Sequence, residues 1–199
     1  MINMIAVRIT QYLIKNEVGK SDYEQSYIYG IEIIIEKIIT YSVLLVLALY
    51  FKLLIPSLLF IAFFVLLRGY TGGYHANTYA GCFVGTMVMY LTCSQVVAPL
   101  LLNEEMFLFL GLAITGLAIF ILAPVNHPNL DLNSYEIKKC RNGMKVVLAI
   151  EMAFVLGCII WRVNKLYIVF SFLGMVMCAI LLILAKIIKQ EVKLHEEKY

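Results

Sequence analysis

Leu166-Tyr-Ile-Val-Phe-Ser-Phe-Leu-Gly-Met-Val-Met-Cys-Ala-Ile-Leu-Leu-Ile-Leu-Ala-Lys-Ile-Ile188 decides the fold class. Its one charge is Lys186, close to its end. A helix rises about 1.5 Å per residue, so about 20 apolar residues cross a hydrocarbon layer of roughly 30 Å. Five more apolar runs precede it, at 32–51, 53–67, 83–102, 106–123 and 144–162. The run 53–67 is short; it tilts little, borrows Gly69 and Tyr70 to span, or is re-entrant, and Pro56 suits the first turn of a helix. Short connections at Phe51-Lys52, Asn103-Glu104-Glu105 and Val163-Asn164-Lys165 predict antiparallel helical hairpins. Met1 to Lys15 places Ile2, Ile5, Ile9, Tyr12 and Leu13 at helical spacing and is too charged to span, which predicts an amphipathic helix in the interface. Asn16 to Gln25 reads as a polar loop. The expected fold is an all-α polytopic membrane protein with about six transmembrane helices and an N-terminal amphipathic helix. It is a single membrane-embedded domain over 1–199, with an amphipathic segment 1–25, a polar loop 68–82 and a second loop 124–143.

Composition agrees. Of 199 residues, 62% are hydrophobic and 15% charged, whereas soluble domains sit near half apolar and a quarter charged. The net charge of +3 gives no reason to expect a nucleic-acid partner, because the basic residues stand at the ends of apolar runs. With the N-terminus inside, Arg8, Lys15, Lys20, Arg68, Lys138, Lys139, Arg141, Lys145, Lys186, Lys189, Lys193 and Lys198 face inward and only Lys52, Arg162 and Lys165 outward. That imbalance predicts cytoplasmic termini and cytoplasmic long loops. The first twenty residues lack the apolar core of a cleavable signal peptide. Five cysteines without a CxxC pair predict neither a zinc site nor a disulfide framework, so no metal or cofactor is expected. Cys93, Cys158 and Cys178 lie in apolar runs and read as small buried hydrophobes.

The chemistry-bearing stretch is Arg68-Gly-Tyr-Thr-Gly-Gly-Tyr-His-Ala-Asn-Thr-Tyr-Ala-Gly-Cys82. A cysteine peptidase needs a thiolate and a group that protonates the departing amine. On one continuous helix His75 and Cys82 stand about 10.5 Å apart along the axis, too far for proton transfer. Catalysis therefore requires a turn between them, and Gly72, Gly73 and Gly81 permit one. Cys82 then opens the third span, where the helix dipole favours thiolate and free N–H groups suit an oxyanion. The plainer reading makes the glycines a membrane-surface turn and His75 an interfacial side chain. Residue chemistry alone leaves both open.

The stretch resembles the core of the accessory gene regulator B (AgrB) family, membrane cysteine endopeptidases of bacterial quorum sensing. The matching positions are Arg68, Gly73, His75 and Cys82; length, multi-span layout and the segment Ala123-Pro-Val-Asn-His-Pro128 resemble the family too. The resemblance implies that catalytic His75 and Cys82 cleave the C-terminal tail from an AgrD-like precursor peptide in the bacterial cell membrane. It implies further that a Cys82 acyl-enzyme is discharged by a cysteine of the bound peptide, leaving a cyclic thiolactone autoinducer. Exchange of one thioester for another needs no ATP.

Other residues carry secondary readings. Arg68 is a carboxylate clamp for the peptide, a tie for the loop, or an ordinary positive-inside anchor. Gly72 and Gly73 support the loop. Lys138, Lys139, Arg141 and Lys145 suit an acidic peptide tail or anionic lipid. His127 with Cys140 is the rival catalytic pair, and His195 is solvated. Asn77, Thr78, or Glu32 and Glu36 could orient His75, although interfacial carboxylates beside a snorkelling Lys37 are the plainer reading. Gly81 and Gly85 form a small-xxx-small pattern compatible with a homodimer. Rival functions are a membrane transporter or peptide exporter, against which the scarcity of ionisable residues in the spans argues, and a non-catalytic scaffold.

Overall fold

The computed structural model describes residues 2–16, 18–74, 76, 78–102, 105–126 and 132–190. Its elements are α1 (Ile2–Lys15), a 3-10 turn (Ser21–Tyr23), α2 (Glu24–Tyr50), α3 (Leu54–Thr71), α4 (Tyr79–Thr92), a π turn (Cys93–Val97), α5 (Ala98–Leu101), α6 (Glu105–Leu122), α7 (Ser134–Ile160) and α8 (Lys165–Ile187). Among the described residues no strand forms, and one isolated bridge joins Gly72 to Val125. The chain is all-α. Five helical stretches are long and apolar enough to cross a membrane, and Met106–Leu122 is a shorter apolar helix.

The core lies along α8, which is buried along most of its length, from Ile168 to Ala185. Helices α3 and α8 make the most extensive contact and run parallel: Gly174 faces Phe60, and one turn later Cys178 faces Phe64. A Cβ at Gly174 would stand 2.6 Å from the Phe60 carbonyl oxygen, so only glycine allows this approach. Cys178 donates its S–H to the Phe64 carbonyl at 3.4 Å, and the Ser57 and Tyr90 hydroxyls share a buried hydrogen bond of 2.6 Å. The outer faces are apolar: α6 presents Phe107, Leu110, Ile114, Leu117 and Ile121 at helical spacing. An exposed stripe of this kind belongs against lipid.

The six long or apolar stretches run between two ends. At one end Leu108 and Phe109 of α6 line a cleft with Ile159, Arg162 and Lys165. At the other, Val125, just beyond α6, bridges to Gly72.

Four expected boundaries move. The run 53–67 is part of a continuous helix reaching Thr71, so α3 does borrow Gly69 and Tyr70. The loop 68–82 shrinks, because Arg68 is in the last turn of α3 and Cys82 in the first turn of α4. In the loop 124–143, residues 134–143 are helical: the Asn133 side chain accepts from the Glu136 N–H, and Glu136 accepts from the Asn133 N–H. This reciprocal cap starts α7 well before its apolar run. Likewise α2 begins at Glu24, inside the stretch read as a polar loop. Hydropathy marks where lipid begins, not where the backbone becomes helical. Gly81 is closed off by Thr78, whereas Gly85 has open space around it.

Candidate active site

Helix α3 ends where two glycines take positive φ, 63° at Gly72 and 117° at Gly73. A Cβ at Gly72 would meet the Val125 carbonyl oxygen at 2.5 Å, and one at Gly73 would collide with the Arg68 guanidinium. Arg68 reaches forward from the last turn, donating to the Gly72 carbonyl and, at 2.5 Å, to the Tyr74 carbonyl. The Tyr74 N–H donates to the Leu181 carbonyl of α8, and the Val125 N–H to the Thr71 carbonyl, both at 2.9 Å. Of the readings open for Arg68, its hydrogen bonds match the tie for the loop.

Thr78 opens α4. Its hydroxyl accepts from the Gly81 N–H at 3.1 Å, and its carbonyl from the Cys82 N–H at 3.0 Å. Cys82 therefore lies in the first turn of α4, at the start of the third span. Its own N–H and that of Gly81 are already engaged, which leaves Tyr79 and Ala80 at the open end of the helix. An oxyanion site built on the Gly81 or Cys82 N–H is thus disfavoured. The described residues 72–74, 76 and 78 are non-helical, the break that a His75/Cys82 pair requires. His75 and Asn77 themselves lie outside the described residues, as do His127 and His195.

Cys82 is a half-buried free thiol. Glu36, Arg68 and Lys37 are close enough to act on it electrostatically. One turn earlier on each helix, Glu32 accepts from the Tyr79 hydroxyl and, at 2.8 Å, from the Asn3 side-chain amide. The N-terminal amphipathic helix is thereby tied to the site. Glu32 thus makes a specific contact with α4. Neither the part played by Asn3 nor that of Tyr79 was legible in the sequence, since both depend on how α1 and α4 pack on α2.

Lys138, Lys139 and Arg141 are exposed on the opening turns of α7, and Cys140 is half-buried among them. Lys145 sits 5.6 Å from the centre of the Phe120 ring. Gly143 abuts the Tyr70 ring, bringing these turns to the end of α3 that holds Arg68. No cluster of metal-ligating side chains occurs among the described residues.

The accessory gene regulator B family matches residues 6–188, nearly the whole chain. The chain belongs to that family. Membership assigns this AgrB protein to quorum sensing, with a role in processing a peptide precursor at a membrane. No curated protein and no solved structure matches it.

Proposed function

We propose that this AgrB protein is a cysteine endopeptidase of the bacterial cell membrane that removes the C-terminal tail of an AgrD-like precursor and leaves a cyclic thiolactone. The observation that carries this reading is the setting of Cys82: a half-buried free thiol in the first turn of α4, beside a glycine turn held by Arg68. In this reading Cys82 attacks the scissile carbonyl, and His75 protonates the departing amine. The resulting thioester is attacked by the peptide's own cysteine before water reaches it, aided by a site at the membrane surface. The basic turns of α7 supply positive charge at that end of the molecule, suited to an acidic tail. The distribution of Lys and Arg supports a cytoplasmic site.

The test is tail release, followed by mass spectrometry. Protein in lipid nanodiscs is mixed with a synthetic peptide carrying an internal cysteine and an acidic C-terminal tail. Release by wild type and Cys140→Ser but not by Cys82→Ser is the expected result. Undiminished release by Cys82→Ser, or loss only in Cys140→Ser, would overturn it.

A further inference from the structure

Helix α4 turns one face to the bundle. On that face Tyr79 and Cys82 are half-buried and Met87 and Tyr90 buried, whereas Gly81, Val84 and Val88 are exposed. Tyr79 and Tyr90 are three turns apart on the same face, and each hydroxyl is held by another helix. Tyr79 donates to the Glu32 carboxylate of α2, and Tyr90 shares a 2.6 Å hydrogen bond with Ser57 of α3. Two such pins on one face fix the rotation of α4 about its axis and its place along it. The first pin is one turn from Cys82; the second is two turns away.

Glu32 is suited to hold the first pin. It is 7% exposed, and a carboxylate at that depth is costly unless its oxygens find donors. Each oxygen has one: Oε2 accepts from the Tyr79 hydroxyl and Oε1 from the Asn3 side-chain amide at 2.8 Å. Asn3 stands in line with Ala6 and Thr10, the buried residues of α1, which packs on α2. Helix α1 thus fixes the carboxylate that fixes α4.

We propose that Glu32 is a positioning residue: by holding the Tyr79 hydroxyl it sets the first turn of α4, and so the place from which the Cys82 sulfur attacks. This rests on the peptidase reading above. Glu32 moves no proton in this role; it acts through Tyr79. The Thr78 cap bonds α4 to itself, whereas the Glu32 contact relates that turn to a neighbouring helix. A displacement of about 1 Å at a reacting atom costs on the order of a hundredfold in rate. A hydroxyl one turn from the nucleophile therefore has more leverage on rate than on stability.

The experiment compares wild type, Tyr79→Phe, Glu32→Leu, their double variant, Glu32→Gln and Cys82→Ser in nanodiscs. One arm measures alkylation by iodoacetamide through peptide mapping, with Cys140, half-buried on α7, as the internal reference. The other measures kcat and KM for release of an acidic tail. Tyr79→Phe and Glu32→Leu are each expected to speed labelling of Cys82 relative to Cys140, because the first turn of α4 is freed. Each is expected to lower kcat on the order of tenfold, as a shift of a fraction of an ångström implies, with KM unchanged. The double variant is expected to be no worse than either single one, since both remove the same contact. Glu32→Gln recovers most of the loss: its amide oxygen accepts from Asn3 and its N–H donates to the Tyr79 hydroxyl. Wild-type labelling and kcat in Tyr79→Phe would overturn the proposal while leaving the peptidase reading intact. So would additive losses in the double variant, or an equal rise in labelling at Cys82 and Cys140, which marks a general loosening of the fold. Release by Cys82→Ser would instead overturn the peptidase reading, and the labelling arm would still decide whether Glu32 places Cys82.

Discussion

At the scale of single residues, the buried polar groups separate structure from chemistry. The Ser57 and Tyr90 hydroxyls satisfy each other inside the bundle. Ser57→Ala leaves the Tyr90 hydroxyl without its partner and is expected to cost roughly 1–3 kcal/mol, read as a lower midpoint of thermal unfolding in detergent; an unchanged midpoint would contradict the pairing. Glu151 is the opposite case. It is 3% exposed on α7, and among the described residues its carboxylate oxygens have no hydrogen-bond partner. A buried acid without a partner destabilises its surroundings, so Glu151→Leu is expected to raise the unfolding midpoint while tail release is retained. Loss of release would show that Glu151 has a role of its own. The sequence yielded Cys82 and the glycines because a thiol in a polar, glycine-rich stretch between apolar runs is conspicuous. Glu32 was weighed and discounted, because its meeting with Tyr79 depends on how two helices distant in sequence align.

At the scale of elements, helix ends set the site. The Thr78 cap fixes where α4 begins and hence where Cys82 stands. Thr78→Ala removes that cap, at a cost of about 1 kcal/mol, and is expected to slow tail release more than it lowers the unfolding midpoint; Thr78→Ser restores both. Equal effects on release and stability would contradict a local role. Arg68→Lys loses the planar fork that spans two carbonyls and is expected to lower release although the positive charge remains. Full activity in Arg68→Lys would reduce Arg68 to a membrane anchor. The apolar runs made the helices legible because lipid demands about twenty apolar residues. The extra polar turns at the starts of α2, α4 and α7 were not legible from hydropathy, although the caps at Thr78 and Asn133 were available signals.

At the scale of the whole molecule, one end of the bundle collects the site. The Gly72 turn, the start of α4, the Asn3–Glu32 contact and the basic turns of α7 all lie there. Lys138, Lys139 and Arg141 are exposed, where long-range attraction acts on encounter with an acidic peptide. Replacing all three by Glu is expected to raise KM for an acidic-tailed peptide with little change in kcat, and the difference should shrink as salt screens it. An equal change for a tail without acidic residues would assign the patch to lipid instead. Overall layout was legible from composition and charge pattern, whereas the gathering of these elements at one end required the packing of α3 on α8.

The most direct measurement traps the acyl-enzyme. A precursor whose internal cysteine is replaced by serine lacks the thiol that discharges the thioester. Mixed with the protein in nanodiscs, quenched in acid and digested, it is expected to leave the truncated peptide attached to the fragment containing Cys82, with the tail free in solution. Tail release with the fragment unmodified, or an adduct on Cys140 instead, would contradict a Cys82 thioester as the route to the ring.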